Sequence, residues 1–165
     1  MGKYKTITAL ALLVGILPPL WAVLSGHLGI SVGAVALITA GIYGANHNQR
    51  KDAGRISLGL LAGDIWAFVS CTLIAASPWD KDVTTFFVLF LFGVAAVFTA
   101  SLLEEIFFLP AWLGGWAIGM VVMGPADKSQ MISLAIQTGV AMLVGIWYVG
   151  VFLDMIQQRI IGKNS

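Results

Sequence analysis

Charged side chains are scarce in this sequence. Of its 165 residues, 10% are Asp, Glu, Lys or Arg and 59% are hydrophobic, and the formal net charge at pH 7 is +1. Soluble globular domains contain about 25% charged residues, so this composition excludes an ordinary soluble domain. It also provides no broad basic face, and we therefore expect no nucleic-acid partner.

Cysteine and histidine are nearly absent. The single cysteine, Cys71, has no second cysteine in the chain for a disulfide or a thiolate metal site, so we interpret it as a small buried hydrophobic residue. The two histidines, His27 and His47, lie between the apolar runs, without a further histidine or acid at metal-ligand spacing. We therefore predict no metal centre, no cofactor and no enzymatic activity, since no nucleophile, base or ligands converge.

Long apolar runs account for most of the chain. Six of them are long enough to cross a bilayer core of about 30 Å at about 1.5 Å per residue. They cover residues 6–24, 29–46, 56–77, 84–103, 107–124 and 131–156. The sequence thus predicts an all-α polytopic membrane protein, a single transmembrane domain of residues 1–165 that lies in the lipid bilayer.

The basic residues between these runs predict the orientation. With six spans both termini share one side of the membrane, and seven basic residues fall on that side against two on the other. The seven are Lys3, Lys5, Arg50, Lys51, Arg55, Arg159 and Lys163, and the two are Lys81 and Lys128. The positive-inside rule then predicts that both termini are cytoplasmic.

Prolines and an acidic pair interrupt the apolar pattern. Pro18 and Pro19 remove two backbone donors, so the first helix should kink or end there. Pro110 suits the first turn of the fifth helix. We expect Glu104 and Glu105, just before it, to cap that helix at the membrane interface, where acids meet the positive end of the helix dipole.

Asp64 lies near the middle of the third run. A carboxylate at the bilayer centre costs about 2.5–3.5 kcal/mol on insertion scales. Ser57, Asp64 and Cys71 recur every seven residues and share one helix face. Because no lysine or arginine lies within a predicted span, Asp64 must be protonated, hydrogen-bonded beside water, or paired with a bound cation. It is then a pathway or ion-coupling residue, or a protonated acid that joins two helices.

Three further side chains are weaker candidates for a pathway. Trp112 and Trp116 are four residues apart and therefore lie on one helix face, where they either line a narrow constriction or pack against neighbours. Gln137 and Ser133 give the sixth helix a polar edge, and Gln137 is a candidate partner for Asp64.

Small residues and aromatic residues predict which helices are buried. The second helix begins with Gly29-xxx-Gly33 and carries Gly41 and Gly44, so we expect it to be buried in the bundle. The fourth helix is uniformly apolar and aromatic and should face lipid.

A weak internal similarity relates the third and sixth helices. Ile56-Ser57-Leu58 opens one and Ile132-Ser133-Leu134 opens the other. Two three-helix halves in one membrane have opposite orientations, which is the inverted-repeat arrangement of many transporters. The sequence leaves open whether such a repeat is present.

Three stretches resemble a known family. PPLWAVLSGHLGISVGA in the first two helices, GDIWA in the third and FFLPAWLGGWAIGM in the fifth are similar to the YcdZ-like inner-membrane proteins, domain-of-unknown-function family 1097. The resemblance implies a small multi-helix protein of the bacterial cytoplasmic (inner) membrane. It implies no activity.

Together these features favour a channel or transporter for a small solute or an ion such as a cation, with Asp64 on its path. Six short helices enclose little volume, so we expect a homo-oligomer. The alternative is an accessory or scaffold protein in the membrane, without transport activity of its own, whose glycine faces bind partner helices.

Overall fold

The computed structural model describes residues 2–47 and 49–162, and this part of the chain is helical, without strands. The helices are α1 (Gly2–His27), α2 (Val35–Ala45), α3 (Ala53–Ala76), α4 (Lys81–Leu102), α5 (Leu109–Met123), α6 (Met131–Val144) and α7 (Leu153–Gly162). A 3₁₀ turn, Arg50–Asp52, precedes α3, and a π-helical segment, Gly145–Phe152, joins α6 to α7. The predicted all-helical fold is confirmed.

Four stretches of the described chain are long and apolar enough to cross a membrane. They are Thr6–His27, Arg50–Ala76, Lys81–Leu102 and Met131–Ile160. The helices α2 and α5 have 11 and 15 residues, or about 16 and 22 Å at 1.5 Å per residue, and are shorter than a bilayer core. The chain is therefore built as a membrane protein with four helices of membrane length, and the crossing of α2 and α5 stays a prediction.

Glycines bring α3 and α5 into backbone contact. A Cβ added to Gly63 would collide with the carbonyl oxygen of Trp112, and one added to Gly115 would collide with that of Leu60. Small residues at such crossings let two helix backbones approach closely without a side chain between them. The contact between α3 and α5 is the most extensive in the fold, and α2, α4 and α6 each pack on one or both of these two helices.

The π-helical segment receives α2 in the same way. Gly145 lies against Ala36 and Thr39, and a Cβ on Gly150 would lie 2.8 Å from the Tyr43 ring. The Thr39 hydroxyl, fully buried, also donates a hydrogen bond of 3.1 Å to the carbonyl oxygen of Met142. These contacts bury one face of α2.

The predicted burial of the α2 glycines is wrong in part. Gly41 and Gly44 are exposed, and Gly29, with a positive φ of 74°, lies in the turn before α2. Gly33 is buried. The close approach is made possible by glycines of the π-helical segment, so the facing side of α2 carries larger residues: Val35, Ala36, Thr39 and Tyr43.

The helix α1 continues through Pro18 and Pro19. The helix therefore does not end at the two prolines, and the kink that the sequence also allowed at this point stays a prediction. Beyond the prolines, Trp21 and Ser25 are buried, and the Trp21 indole donates a 2.9 Å hydrogen bond to the carbonyl oxygen of Gly33. This bond ties the end of α1 to the turn that leads into α2.

The helix α4 lies on the outside of the bundle. Its buried residues are Thr84, Ala96 and Ala100, whereas its phenylalanines at 86, 87, 90 and 98 are exposed. The Asp80 carboxylate accepts hydrogen bonds from the backbone N–H groups of Asp82 and Val83 at 3.0 and 3.1 Å and so caps the helix start. The apolar surface of α4 is consistent with the predicted contact with lipid.

A turn separates α4 from α5. Pro110 lies in the first turn of α5, as predicted. Glu104 and Glu105 are exposed in the turn, and the N-cap residue is Phe108, without a side-chain hydrogen bond. The predicted acidic cap is wrong because the two acids precede the helix start by several residues. The backbone carbonyl of Glu104 instead accepts a hydrogen bond from the Arg55 guanidinium.

Polar residues join the elements at this end of the bundle. Arg50 Nε lies 2.9 Å from Asp154 Oδ2, and the Arg50 guanidinium also donates to Gln158 Oε1 at 2.7 Å. The α2–α3 connection, the α4–α5 turn and the start of α7 therefore lie at one end of the bundle. Lys163 lies outside the described residues, as do the side chains of Lys3 and Lys5.

Candidate functional site

Asp64 lies between three helices near the middle of α3. Its side chain and backbone are only 5% exposed. A Cβ added to Gly119 of α5 would lie 3.1 Å from Asp64 Oδ1, and one added to Gly139 of α6 would lie 3.5 Å from Oδ2. The two glycines leave the space that the carboxyl group occupies.

One oxygen of the Asp64 carboxyl group, Oδ1, is buried without a hydrogen-bond partner among the described residues. The hydroxyl of Thr138, next to Gly139 in sequence, is also buried without a partner. Neither α5 nor α6 contains a lysine, arginine or histidine. A charged carboxylate without a partner is costly in such a place, so Asp64 requires a proton, a cation or water.

The predicted polar stripe of α3 is buried along its length. Ser57 and Cys71 are 7% exposed, and both have partners: the Trp147 indole donates to Ser57 Oγ at 3.1 Å, and Cys71 Sγ lies 3.5 Å from Met120 Sδ. Ser57 and Cys71 are separated by about 21 Å along the helix. The structure therefore places the three residues inside the bundle but gives each its own surroundings.

Trp112 and Trp116 take part in helix packing. The Trp112 ring is buried and makes edge contacts with Trp66, at 5.3 Å between centroids, and with Phe107, at 4.9 Å. Trp116 is half-buried and donates a hydrogen bond of 3.2 Å to Ser70 Oγ. These contacts join α3 to α5, and a lining function for the two rings stays a prediction.

Gln137 is placed away from Asp64. Its Oε1 accepts hydrogen bonds from the backbone N–H and hydroxyl of Ser31 at 2.8 and 3.0 Å, and its Nε2 donates to Ser133 Oγ at 3.1 Å. The predicted pairing with Asp64 is wrong because Gly139 faces Asp64, and a residue two positions earlier points about 200° around the helix. Gln137 instead joins α6 to the turn between α1 and α2.

A cavity lies near the end of α3, beside the α5–α6 connection. Its volume is about 510 Å³, and its walls include Cys71, Met120, Met123, Met131, Lys81 and Lys128. The sequence did not predict it, because its walls come from two stretches that are distant in sequence, residues 71–85 and 120–131. The signal for this cavity in the sequence was a pair of lysines, Lys81 and Lys128, each just before an apolar run.

A family model matches residues 11–158, which include Asp64, both glycines that face it and all the walls of the cavity. The chain belongs to the DUF1097 family. The family is described as a protein of unknown function, and the match confirms the family resemblance predicted from the sequence. For this DUF1097 chain, no curated protein and no solved structure matched. Any function must therefore be argued from its own residues.

Proposed function

We propose that this DUF1097 protein is an oligomeric transporter or channel for a small solute or ion in the bacterial cytoplasmic membrane, with Asp64 as the ion-coupling or pathway residue. The observation that carries this proposal is the buried Asp64 Oδ1 without a hydrogen-bond partner, in a space left by Gly119 and Gly139. We assign the chain no enzymatic step.

The surroundings of Asp64 favour a functional acid over a structural one. An acid that joins two helices would donate or accept a hydrogen bond across their interface, because a buried polar group without a partner is destabilising. Asp64 instead faces glycines on two neighbouring helices. Such a site is suited to a proton or cation that binds and leaves.

The packing of the helices supports an inverted repeat. If α1–α3 form one half and α4–α7 the other, each half has a long outer helix, a short helix and a long helix that is more buried. The outer and short helices of each half pack on the long buried helix of the other half: α5 and α4 contact α3, whereas α2 contacts the π-helical segment and α1 contacts α7. Many transporters place their binding site between two such halves.

The proposed topology rests on the positions of the basic residues. If all six helical segments cross the membrane, the end that holds Arg50, Arg55 and Asp154 is cytoplasmic under the positive-inside rule. Both termini then lie on that side. A homo-oligomer is part of the proposal because one copy of this small bundle offers little room for a path.

Flux measurements on reconstituted vesicles test the function. We expect vesicles with the wild-type protein, loaded with a pH-sensitive dye, to show proton flux under an imposed gradient. Because Asn cannot take up a proton, Asp64→Asn should lower this flux by about an order of magnitude or more. Asp82→Asn is the matched control, since Asp82 is exposed at the start of α4.

The same vesicles distinguish a transporter or channel from an accessory protein without transport activity. Swelling assays with acetate, glycerol and potassium salts extend the measurement to solutes and cations that move without protons. Flux equal to that of protein-free vesicles in every assay, together with a partner protein retained in mild detergent, would favour the accessory function instead.

A further inference from the structure

The cavity near Cys71 has the dimensions of a binding site for a small molecule. Its volume of about 510 Å³ falls in the range of about 300–1,000 Å³ that is typical of ligand sites. It lies between the ends of α3 and α5 and the beginnings of α4 and α6. The site is separate from Asp64, which does not line it.

The chemistry of the walls indicates the class of ligand. Met120, Met123 and Met131 provide an apolar surface that adapts to different shapes. Lys81 and Lys128 also line the cavity, and neither forms an ion pair within the described residues. Among the residues that the structure describes, no acidic one lines the cavity.

The acids next to the two lysines in sequence lie outside the walls of the cavity. Asp80 accepts hydrogen bonds from two backbone N–H groups at the start of α4. Asp82 and Asp127 are exposed and are not among the residues that line the cavity. The cavity therefore has a positive side and an apolar side, an arrangement that suits an anion and disfavours a cation.

We propose that this cavity binds a small organic anion with an apolar body, such as a short-chain carboxylate. Lys81 and Lys128 hold the carboxylate, and the methionines contact the hydrocarbon part. The inference rests on the proposed function in one respect only: the bound anion is the solute that moves through the protein.

Met123 connects the cavity with Asp64. The Met123 side chain lines the cavity, and its Cε lies 3.1 Å from the position that a Cβ on Gly119 would take. Asp64 Oδ1 lies at the same distance from that position. The flexible thioether of Met123 thus lies beside both the cavity and the space around the buried acid.

A quenching experiment on the full chain tests the binding site. The protein is placed in nanodiscs of phosphatidylcholine, and 6-bromohexanoate is added, because bromine quenches indole fluorescence and Trp79 lines the cavity. We expect saturable quenching that is lost in Trp79→Phe, and no saturable quenching by 6-bromohexanamide, the neutral analogue. The variant Lys81→Gln/Lys128→Gln should weaken the apparent affinity by about fivefold or more.

Lys51→Gln is the control, because Lys51 is exposed in the 3₁₀ turn at the other end of α3. It should bind 6-bromohexanoate as the wild type does. Equal quenching by the amide, or unchanged affinity in the double lysine variant, would overturn the proposal. Loss of binding when phosphatidylglycerol replaces part of the lipid, if high salt does not restore it, would do so as well, since the lipid would then occupy the cavity and not merely repel the anion from the membrane surface.

This measurement needs no gradient and no flux. A failure of Asp64→Asn to change transport therefore leaves the binding result intact, and a failure to bind 6-bromohexanoate leaves the transport assay intact.

Discussion

Asp64 shows how a polar residue is accommodated inside an apolar bundle. Gly119 and Gly139 leave room for its two carboxyl oxygens, and Ala67 on the next turn of α3 is also small. A Cβ on Gly119 would approach the Ala67 Cβ to 2.5 Å. The position of the acid thus depends on glycines in two other helices.

The first prediction concerns this space. Gly119→Ala should lower the free energy of unfolding by about 1–3 kcal/mol, because the added methyl group overpacks the contact with Ala67. Gly41→Ala is the control: Gly41 is helical and exposed, and its added Cβ meets nothing within 4 Å. Unfolding in mild detergent, followed by tryptophan fluorescence, measures both. Equal stability of Gly119→Ala and Gly41→Ala would contradict the close packing of Gly119 against Ala67 and Asp64.

Sequence reasoning was strongest for residues whose positions depend on one helix alone. Ser57, Asp64 and Cys71 were predicted to share a face, and all three are buried together on α3, because seven residues make nearly two helical turns. Gln137 was assigned to the wrong partner, since its contacts depend on how α6 is rotated in the bundle. The faces of one helix follow from periodicity, but the residue opposite does not.

At the scale of elements, the two short helices are held by glycines of long ones. The α5 backbone lies on Gly59 and Gly63 of α3, and α2 lies on Gly145 and Gly150 of the π-helical segment. Backbone contact increases van der Waals packing where apolar side chains alone gain little, since lipid is equally apolar. The glycines predicted to bury α2 lie on α2 and in the turn before it, whereas the glycines that make its close contact possible belong to the π-helical segment.

The contact between α2 and the π-helical segment provides a sharper test of glycine packing than the contact between α3 and α5. Gly145→Val should lower the free energy of unfolding by about 3 kcal/mol or more, because the side chain would collide with the Ala36 carbonyl and displace Thr39 from its bond to Met142. Gly54→Val is the control, since an added Cβ there meets nothing within 4 Å. Its cost should stay below about 1 kcal/mol.

Denaturant titration in detergent micelles compares these two variants. If Gly145→Val fails to fold, Gly145→Ala supplies the measurement, with Gly54→Ala as its partner. A Gly145 variant as stable as its Gly54 counterpart would contradict the packing of α2 on the π-helical segment.

At the scale of the whole molecule, the number of crossings is the main topological question. Four stretches have membrane length, whereas α2 and α5 are short. If α5 crosses the bilayer, the turn before it and the connection after it lie on opposite sides. Exposed residues are available at both places: Glu105 before α5 and Asp127 after it.

Cysteine labelling resolves this point. In a Cys71→Ala background, Glu105→Cys should react with a membrane-impermeant thiol reagent only from the cytoplasmic side, and Asp127→Cys only from the other side. The same comparison of His27→Cys with His47→Cys tests α2. Labelling of Glu105→Cys and Asp127→Cys from one common side would exclude the six-span topology.

Hydropathy and helical periodicity were sufficient to predict an all-helical membrane protein and the buried acid, because these depend on local composition and on one helix at a time, whereas the second helix begins at Val35 and not at the predicted residue 29. Only the tertiary structure decided that glycines of α5 and α6 face Asp64, that Gln137 contacts Ser31, and that the ends of four helices and their connections line the cavity with its two lysines. These features depend on the rotation and crossing of helices far apart in sequence. Several rotations bury similar apolar surface, so hydrophobicity alone does not choose among them.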